Sequence, residues 1–210
     1  PQDERYWAER AATDPHFDWG ERNEQSNWIS QYWTSKDHPH RQLILDALTK
    51  VGPQGGILEV GCGAGANLAR IAEAFPETQL AGVDVNAAAL AYAAEKLPKP
   101  VLKLGSVLKL PFPDKSLGTI ICDAVLLYVR PEDINQALSE IDRVALRAVI
   151  LVEWFDKDEQ GVVKDYHFAR NYTALLCGLG FNVEMRKIKE EEWPNSQAWQ
   201  KHGYLFVANR

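Results

Sequence analysis

Ile57-Leu58-Glu59-Val60-Gly61-Cys62-Gly63-Ala64-Gly65-Ala66-Asn67-Leu68 is the most informative stretch of this chain. Residues 56–60 form a short apolar run closed by glycine, the pattern of a buried strand. The run passes directly into a turn with glycines at 61, 63 and 65, which permit a tight bend and close approach of a ligand to the backbone. Beyond it, apolar positions 68, 71, 72 and 75 make the stripe of a helix over 66–75, stopped by Pro76. A strand, a glycine turn and a helix in this order place a ligand crevice beyond the strand's carboxyl end.

Working outward, the same alternation continues. Residues 79–84 read as a strand, 87–97 as a helix ending before Pro98, and 101–105 and about 118–124 as strands. A helix over 131–143 has Pro131 in its first turn, and 147–154 is the most apolar strand. A helix at roughly 165–178 and strands near 181–188 and 203–208 complete the chain, the last two as an antiparallel edge. Such alternation predicts a parallel sheet with right-handed crossovers. About 50 residues precede the first strand and carry Trp7, Trp19, Trp28 and Trp33 with Tyr6, Phe17 and Tyr32. They read equally as a helical layer anchored on the core by large rings or as a cap over the ligand mouth. The expected organisation is one domain over 1–210, with a helical cap at 1–50 and an α/β core at 51–210.

Composition narrows the function classes. The 210 residues are 46% hydrophobic and 25% charged, an ordinary globular balance. A net charge of −6, with Lys and Arg scattered, argues against a nucleic-acid partner, whose phosphates call for a basic face. Cys62, Cys122 and Cys177 have no metal-ligand spacing and read as reduced, buried thiols. His38-Pro39-His40-Arg41 opens a helix but lacks further ligands at convincing spacing, so no metal is expected; Asp37 reads as the helix N-cap. The charged stretch PQDERYWAER is not a signal peptide and no window spans a membrane, so the expected address is cytoplasmic.

The crevice calls for a nucleotide-bearing ligand. Asp84, at the end of the second strand, stands where a carboxylate accepts hydrogen bonds from ribose hydroxyls. Gly61, Gly63 and Ala66 also satisfy G-x-G-x-x-A, the dinucleotide fingerprint. Glu59 separates the two cases: it suits the amino group of a methionine moiety and repels a pyrophosphate. The chain is also short for the substrate domain of many dehydrogenases. Tyr92 and Lys96 match Tyr-x-x-x-Lys, but on a helix too early to reach a nicotinamide.

ILEVGCGAGANL resembles motif I of class I S-adenosylmethionine-dependent methyltransferases, and GVDVN (82–86) resembles their second motif. PFPDKSLGTIICDAVLLYV (111–129) is similar to the next segment of their small type 11 branch; the resemblance covers about residues 55–155. It implies a Rossmann-like three-layer α/β sandwich, its seven-stranded sheet ordered 3-2-1-4-5-7-6 with strand seven antiparallel. It also implies S-adenosylmethionine as cofactor, held by Glu59, Gly61, Cys62, Gly63, Gly65, Asn67, Asp84, Val85, Ser106, Val107 and Asp123. Ser106 stands where many relatives carry an acid for the adenine amino group, and Arg41 is a candidate for the cofactor's carboxylate.

Methyl transfer from a sulfonium is an in-line displacement, so the protein chiefly aligns the partners and excludes water. Candidate catalytic groups lie beyond the central strands: Asp123, Glu153 and His167, with Tyr128 and Arg130 nearby. The expected acceptor is a small molecule, and the expected assembly a monomer or homodimer with no nucleic-acid or membrane partner. The alternatives are a protein or RNA acceptor, or a non-catalytic cofactor-binding homologue.

Overall fold

The computed structural model describes residues 4–12, 27–158, 162–164 and 167–210. Its sheet contains β1 (Ile57–Val60), β2 (Leu80–Asp84), β3 (Val101–Leu104), β4 (Leu117–Asp123) and β5 (Ala145–Trp154). A small hairpin of β6 (Val162–Lys164) and β7 (His167–Phe168) follows, and β8 (Asn182–Lys187) and β9 (Gly203–Asn209) return to the sheet. The order is β3-β2-β1-β4-β5-β9-β8. β1 to β5 pair in parallel, while β9 runs antiparallel to both β5 and β8. Counted within the sheet alone, this is the 3-2-1-4-5-7-6 arrangement, with its seventh strand reversed.

Side-chain alternation along these strands builds the layers. Ile57 and Ile121 point into a core shared with Leu48 of α3 (His40–Val51) and with Leu68 and Ile71 of α4 (Ala66–Ala74). Leu58, Val60 and Ile120 point to the opposite face and meet Ile141 of α6 (Ile134–Val144) and Leu176 of α7 (Tyr172–Gly178). One sheet thus buries both faces, as a parallel sheet requires. The remaining helices are α1 (Glu4–Glu9), α2 (Trp28–Thr34), α5 (Ala87–Lys96) and α8 (Gln197–His202). Among the described residues no helix is long and apolar enough to cross a membrane.

The N-terminal segment both anchors on the core and borders the cleft described below. Trp28 and Ile29 are buried against Ala64 and Ala89, and Trp28 Nε1 donates to Ala11 O at 2.9 Å. Asn86 does two jobs: its Oδ1 accepts the Ala89 N–H as the cap of α5, and its Nδ2 donates to Trp7 O at 2.9 Å and Arg10 O at 3.1 Å. Phe17 and Trp19 lie outside the described residues.

Several expectations need correction. Helix α6 begins at Ile134, with Asp133 at its N-cap position and Pro131 in the preceding turn. Helix α7 begins at Tyr172 because Asn171 caps it, accepting from Ala174 N at 3.1 Å; the β6–β7 hairpin occupies part of the span expected to be helical. Asp37 ends a 3₁₀ turn over Ser35–Asp37 and lies 3.6 Å from Arg70, so Pro39 takes the N-cap position of α3. Cys62 and Cys122 are buried free thiols, whereas Cys177 is exposed on α7.

Candidate active site

The glycine turn is braced from the next strand. Gly61 and Cys62 N–H both donate to Val83 O, at 2.8 and 3.1 Å, and Gly63 N–H donates to Asp84 Oδ2 at 2.7 Å. Asp84 Oδ1 accepts the Asn86 N–H at 2.8 Å, so one carboxylate fixes the loop and the start of α5. Burial raises its pKa, against the pull of these N–H groups. Only glycine fits the first bend: a Cβ on Gly61, at φ +71°, would lie 2.3 Å from Val125 Cγ2. A Cβ on Gly63 would press on the Tyr32 ring at 3.1 Å.

Beneath the turn is a buried polar floor. Asn67 Nδ2 donates to Glu59 Oε1 at 2.7 Å and to Asp123 Oδ2 at 2.9 Å, while its Oδ1 accepts from Arg41 Nη1 at 2.7 Å. His40 Nε2 lies 2.9 Å from the same Asp123 oxygen, and Arg41 Nη1 lies 3.5 Å from it. Arg41 also donates to the carbonyl and the hydroxyl of Ser35, at 2.8 and 2.7 Å. Burial pushes the Glu59 carboxyl up to about 8, despite Asn67 and Arg41. For Asp123 burial is outweighed by the His40 ring, Arg41 and Asn67, which hold its carboxyl at about 2. Two buried acceptors here, Glu59 Oε2 and Asp123 Oδ1, have no hydrogen-bond partner.

A cleft of about 1280 Å³ opens over this floor. The part of this one cleft beside the glycine turn, with Gly61, Gly63, Asp84, Val85, Gly105, Val107 and Leu108, is its first lobe; the part bordered by His38, Tyr128, Trp154, His167, Trp193 and Trp199 is its second lobe. Asp123 and Ala124, at the end of β4 between β1 and β5, stand where the lobes meet. Ala124 holds φ +56°, an uncommon conformation for a residue with a Cβ, and such strain concentrates at ligand sites.

Of the residues expected to touch cofactor or acceptor, Gly61, Gly63, Asp84, Val85, Val107, Asp123 and His167 line this cleft. Glu59, Cys62, Gly65, Asn67 and Arg41 do not; they lie in or behind the floor and shape the turn. Arg41 in particular faces inward, its donors already engaged by Ser35 and Asn67, which corrects its assignment to the cofactor's carboxylate. Ser106 is also corrected. Its Oγ donates to the Glu4 carboxylate of α1 and accepts Leu108 N–H at 3.0 Å, leaving Gly105, Val107 and Leu108 at the cleft.

Glu153 is the third correction. It is fully buried, and its carboxylate accepts the N–H groups of Val125, Leu126 and Leu127 at 2.8, 2.7 and 3.0 Å. Burial pushes its carboxyl up to about 8, and those three donors offset part of the rise. It therefore ties the loop after β4 to β5 and does not line the cleft. Tyr92 and Lys96 lie on α5, with the Lys96 ammonium 5.4 Å from the Tyr92 ring centroid, and neither lines the cleft.

Two arrangements were not legible in the sequence. His38 and His40 approach Nδ1 to Nδ1 at 2.5 Å, so Asp123, His40 and His38 form a chain reaching the cleft. A belt of rings also surrounds the second lobe. Trp193 stacks on Trp199 at 3.8 Å, Trp199 meets Trp154 edge-on at 6.0 Å, and Trp154 stacks on His167 at 5.0 Å. His167 then meets Tyr128 at 4.7 Å, and Tyr128 meets Trp7 at 4.9 Å. The tryptophans of the C-terminal half were the available signal, but nothing in their spacing brings them together.

This fold, with a glycine turn braced by an acid from the second strand, is the Rossmann-like fold shared with solved methyltransferases. Residues 57–147, less than half of the chain, match the family model described as a methyltransferase domain. Trans-aconitate 2-methyltransferase of Deinococcus radiodurans is 33% identical over 81 residues, 38% of this chain and 31% of that protein. The chain spans about a third of the length of the curated relatives it matches. Geranyl diphosphate C-methyltransferase of Streptomyces coelicolor superposes with a TM-score of 0.68 at 16% identity, covering 99% of this chain and 96% of that one. Magnesium protoporphyrin IX methyltransferase of Synechocystis, with S-adenosylmethionine bound, gives 0.62 at 17% identity, covering 90% and 86%. At these identities the likeness is one of fold.

Proposed function

We propose that this chain transfers a methyl group from S-adenosylmethionine to a small-molecule acceptor, the two meeting beside Asp123. The observation that carries this reading is the charge of the floor. Glu59, Asp84 and Asp123 converge on the glycine turn, and two of their oxygens are buried acceptors without partners. Such a floor attracts an ammonium or sulfonium and repels a pyrophosphate. When bound, the cofactor supplies an electrophilic methyl group. Asp84 and the loop backbone would hold its adenosyl part and Asp123 its amino group, with the Glu59 carboxyl adding negative charge from behind the floor. Tyr32, packed on Gly63, and Trp7 of the N-terminal layer help keep water from the lobes. The walled second lobe suits a small acceptor better than a polymer, and the net charge of −6 disfavours nucleic acid.

Calorimetry with S-adenosylmethionine, S-adenosylhomocysteine and NAD tests the cofactor half of the proposal. Binding of the first two and not the third is expected, and the reverse would overturn it. A screen for labelled methyl transfer into a metabolite extract, set against total RNA and a protein lysate, tests the acceptor half.

A further inference from the structure

The belt around the second lobe contains a group that the cofactor's cationic end does not satisfy. Trp154, at the end of β5, is 4% exposed and lines the cleft, yet its Nε1–H has no hydrogen-bond partner among the described residues. A buried donor left in this state is costly, and native structures rarely leave one without a ligand, water or strain to account for it. The cleft volume of 1280 Å³ also exceeds the roughly 300–1,000 Å³ typical of a pocket for one small ligand.

We propose that the second lobe binds a flat, conjugated acceptor molecule whose carbonyl or ether oxygen accepts the Trp154 Nε1–H while its ring lies against His167 and Trp199. Three features support this chemistry over others. Trp154 and His167 stack at 5.0 Å with 26° between their planes, and Trp199 presents its ring at 73° to Trp154. A planar ligand extends that packing by offset or edge-on contact. A quaternary ammonium would gain from the ring faces, but it would leave the Trp154 N–H unpaired. An acidic ligand would meet the Asp123 carboxylate where the lobes join. A neutral ring bearing an acceptor oxygen satisfies all three.

This inference rests on the methyltransferase reading, so cofactor binding is measured first. The protein loaded with S-adenosylhomocysteine is titrated with 7-hydroxycoumarin, 4-quinolone, 2-methylnaphthalene and benzyltrimethylammonium, followed by ligand-observed NMR and calorimetry. The two ring carbonyls are expected to bind. Trp154→Phe keeps a ring and deletes the donor; it should weaken them roughly five- to tenfold, the loss of one hydrogen bond, and leave 2-methylnaphthalene within about twofold. S-adenosylhomocysteine affinity should not change. If Trp154→Phe also loses the cofactor product, Trp199→Leu is read instead, with weakening of both ring classes expected. Ring carbonyls that fail to bind, that bind Trp154→Phe equally, or that lose to the ammonium probe would overturn the inference. Failure of S-adenosylhomocysteine itself to bind would bring down the methyltransferase reading instead.

Discussion

Asp123 Oδ2 takes hydrogen bonds from His40 and Asn67 with Arg41 Nη1 3.5 Å away, while Oδ1 has no partner among the described residues. Because His40 Nε2 bonds this ionised carboxylate, the neutral His40 ring carries its proton on Nε2 and its lone pair on Nδ1. Burial, first, and Arg41 keep His40 below its usual pKa; burial, His40 and Arg41 bring His38 down to about 4. With Nδ1 2.5 Å from Nδ1, His40 Nδ1 as acceptor makes His38 the Nδ1–H tautomer, in competition with the longer 3.4 Å contact from His40 N–H that would use His38 Nδ1 as acceptor. Nitrogen-15 NMR near pH 7 is expected to show opposite tautomers for the two rings, and two identical Nε2–H patterns would refute the chain. Asp84→Ala should weaken S-adenosylhomocysteine binding by about 1–3 kcal/mol, because it removes the brace on Gly63 as well as an acceptor for ribose. Unchanged affinity in calorimetry would place the ribose elsewhere. These side chains were legible one at a time, since glycines and acids at strand ends have few alternatives. The Asp123–His40 contact joins positions 83 apart in the chain, and only the parallel placement of α3 beside the end of β4 reveals it.

At the scale of elements, the loop after β4 depends on a strand that follows it by more than twenty residues. Three consecutive N–H groups of this loop have the Glu153 carboxylate as acceptor. Glu153→Ala strands buried donors that each cost about 1–3 kcal/mol, so a loss of about 2–5 kcal/mol is expected in denaturant unfolding. A loss below about 1 kcal/mol would show that the loop finds other partners. Glu153 is legible in the sequence only as an acid at the end of an apolar strand, and the three donors that occupy it come from a turn some 26–28 residues earlier. The same limit shifted α6 and α7. Pro131 favours an earlier start for α6 locally, but the helix begins after Asp133; α7 begins where the Asn171 side chain caps it. Strands β1 to β5 were readable because their alternation and punctuation agree at every level.

For the whole molecule, two buried glutamates with carboxyls pushed up to about 8 set the pH response. A carboxyl whose folded pKa lies above its unfolded one favours the fold at low pH and loses that contribution as pH rises through the folded value. Below about pH 6.5 the lowered His38, His40 and His202 oppose this slope, so unfolding free energy should fall between about pH 6.5 and pH 8, and Glu59→Gln should flatten part of that fall. Cofactor binding should show the complementary effect. A cationic ligand favours ionised Glu59, so proton release near pH 7 is expected, visible as calorimetric heats that vary with buffer ionisation enthalpy and vanishing in Glu59→Gln. Heats independent of buffer would mean that Glu59 does not sense the ligand.

The amide of Asn86 has a kinetic consequence. It caps α5 through oxygen and clasps the carbonyls of Trp7 and Arg10 through nitrogen, so one side chain joins a permanent element to the layer over the cleft. Exchanging that nitrogen for oxygen, in Asn86→Asp, retains the cap and turns the clasp repulsive. Stopped-flow release of S-adenosylhomocysteine should quicken in this variant, and an unchanged rate would show that the clasp does not gate release. The rate at which product escapes, and with it the ceiling on turnover, would then be set at an atom that never meets the chemistry.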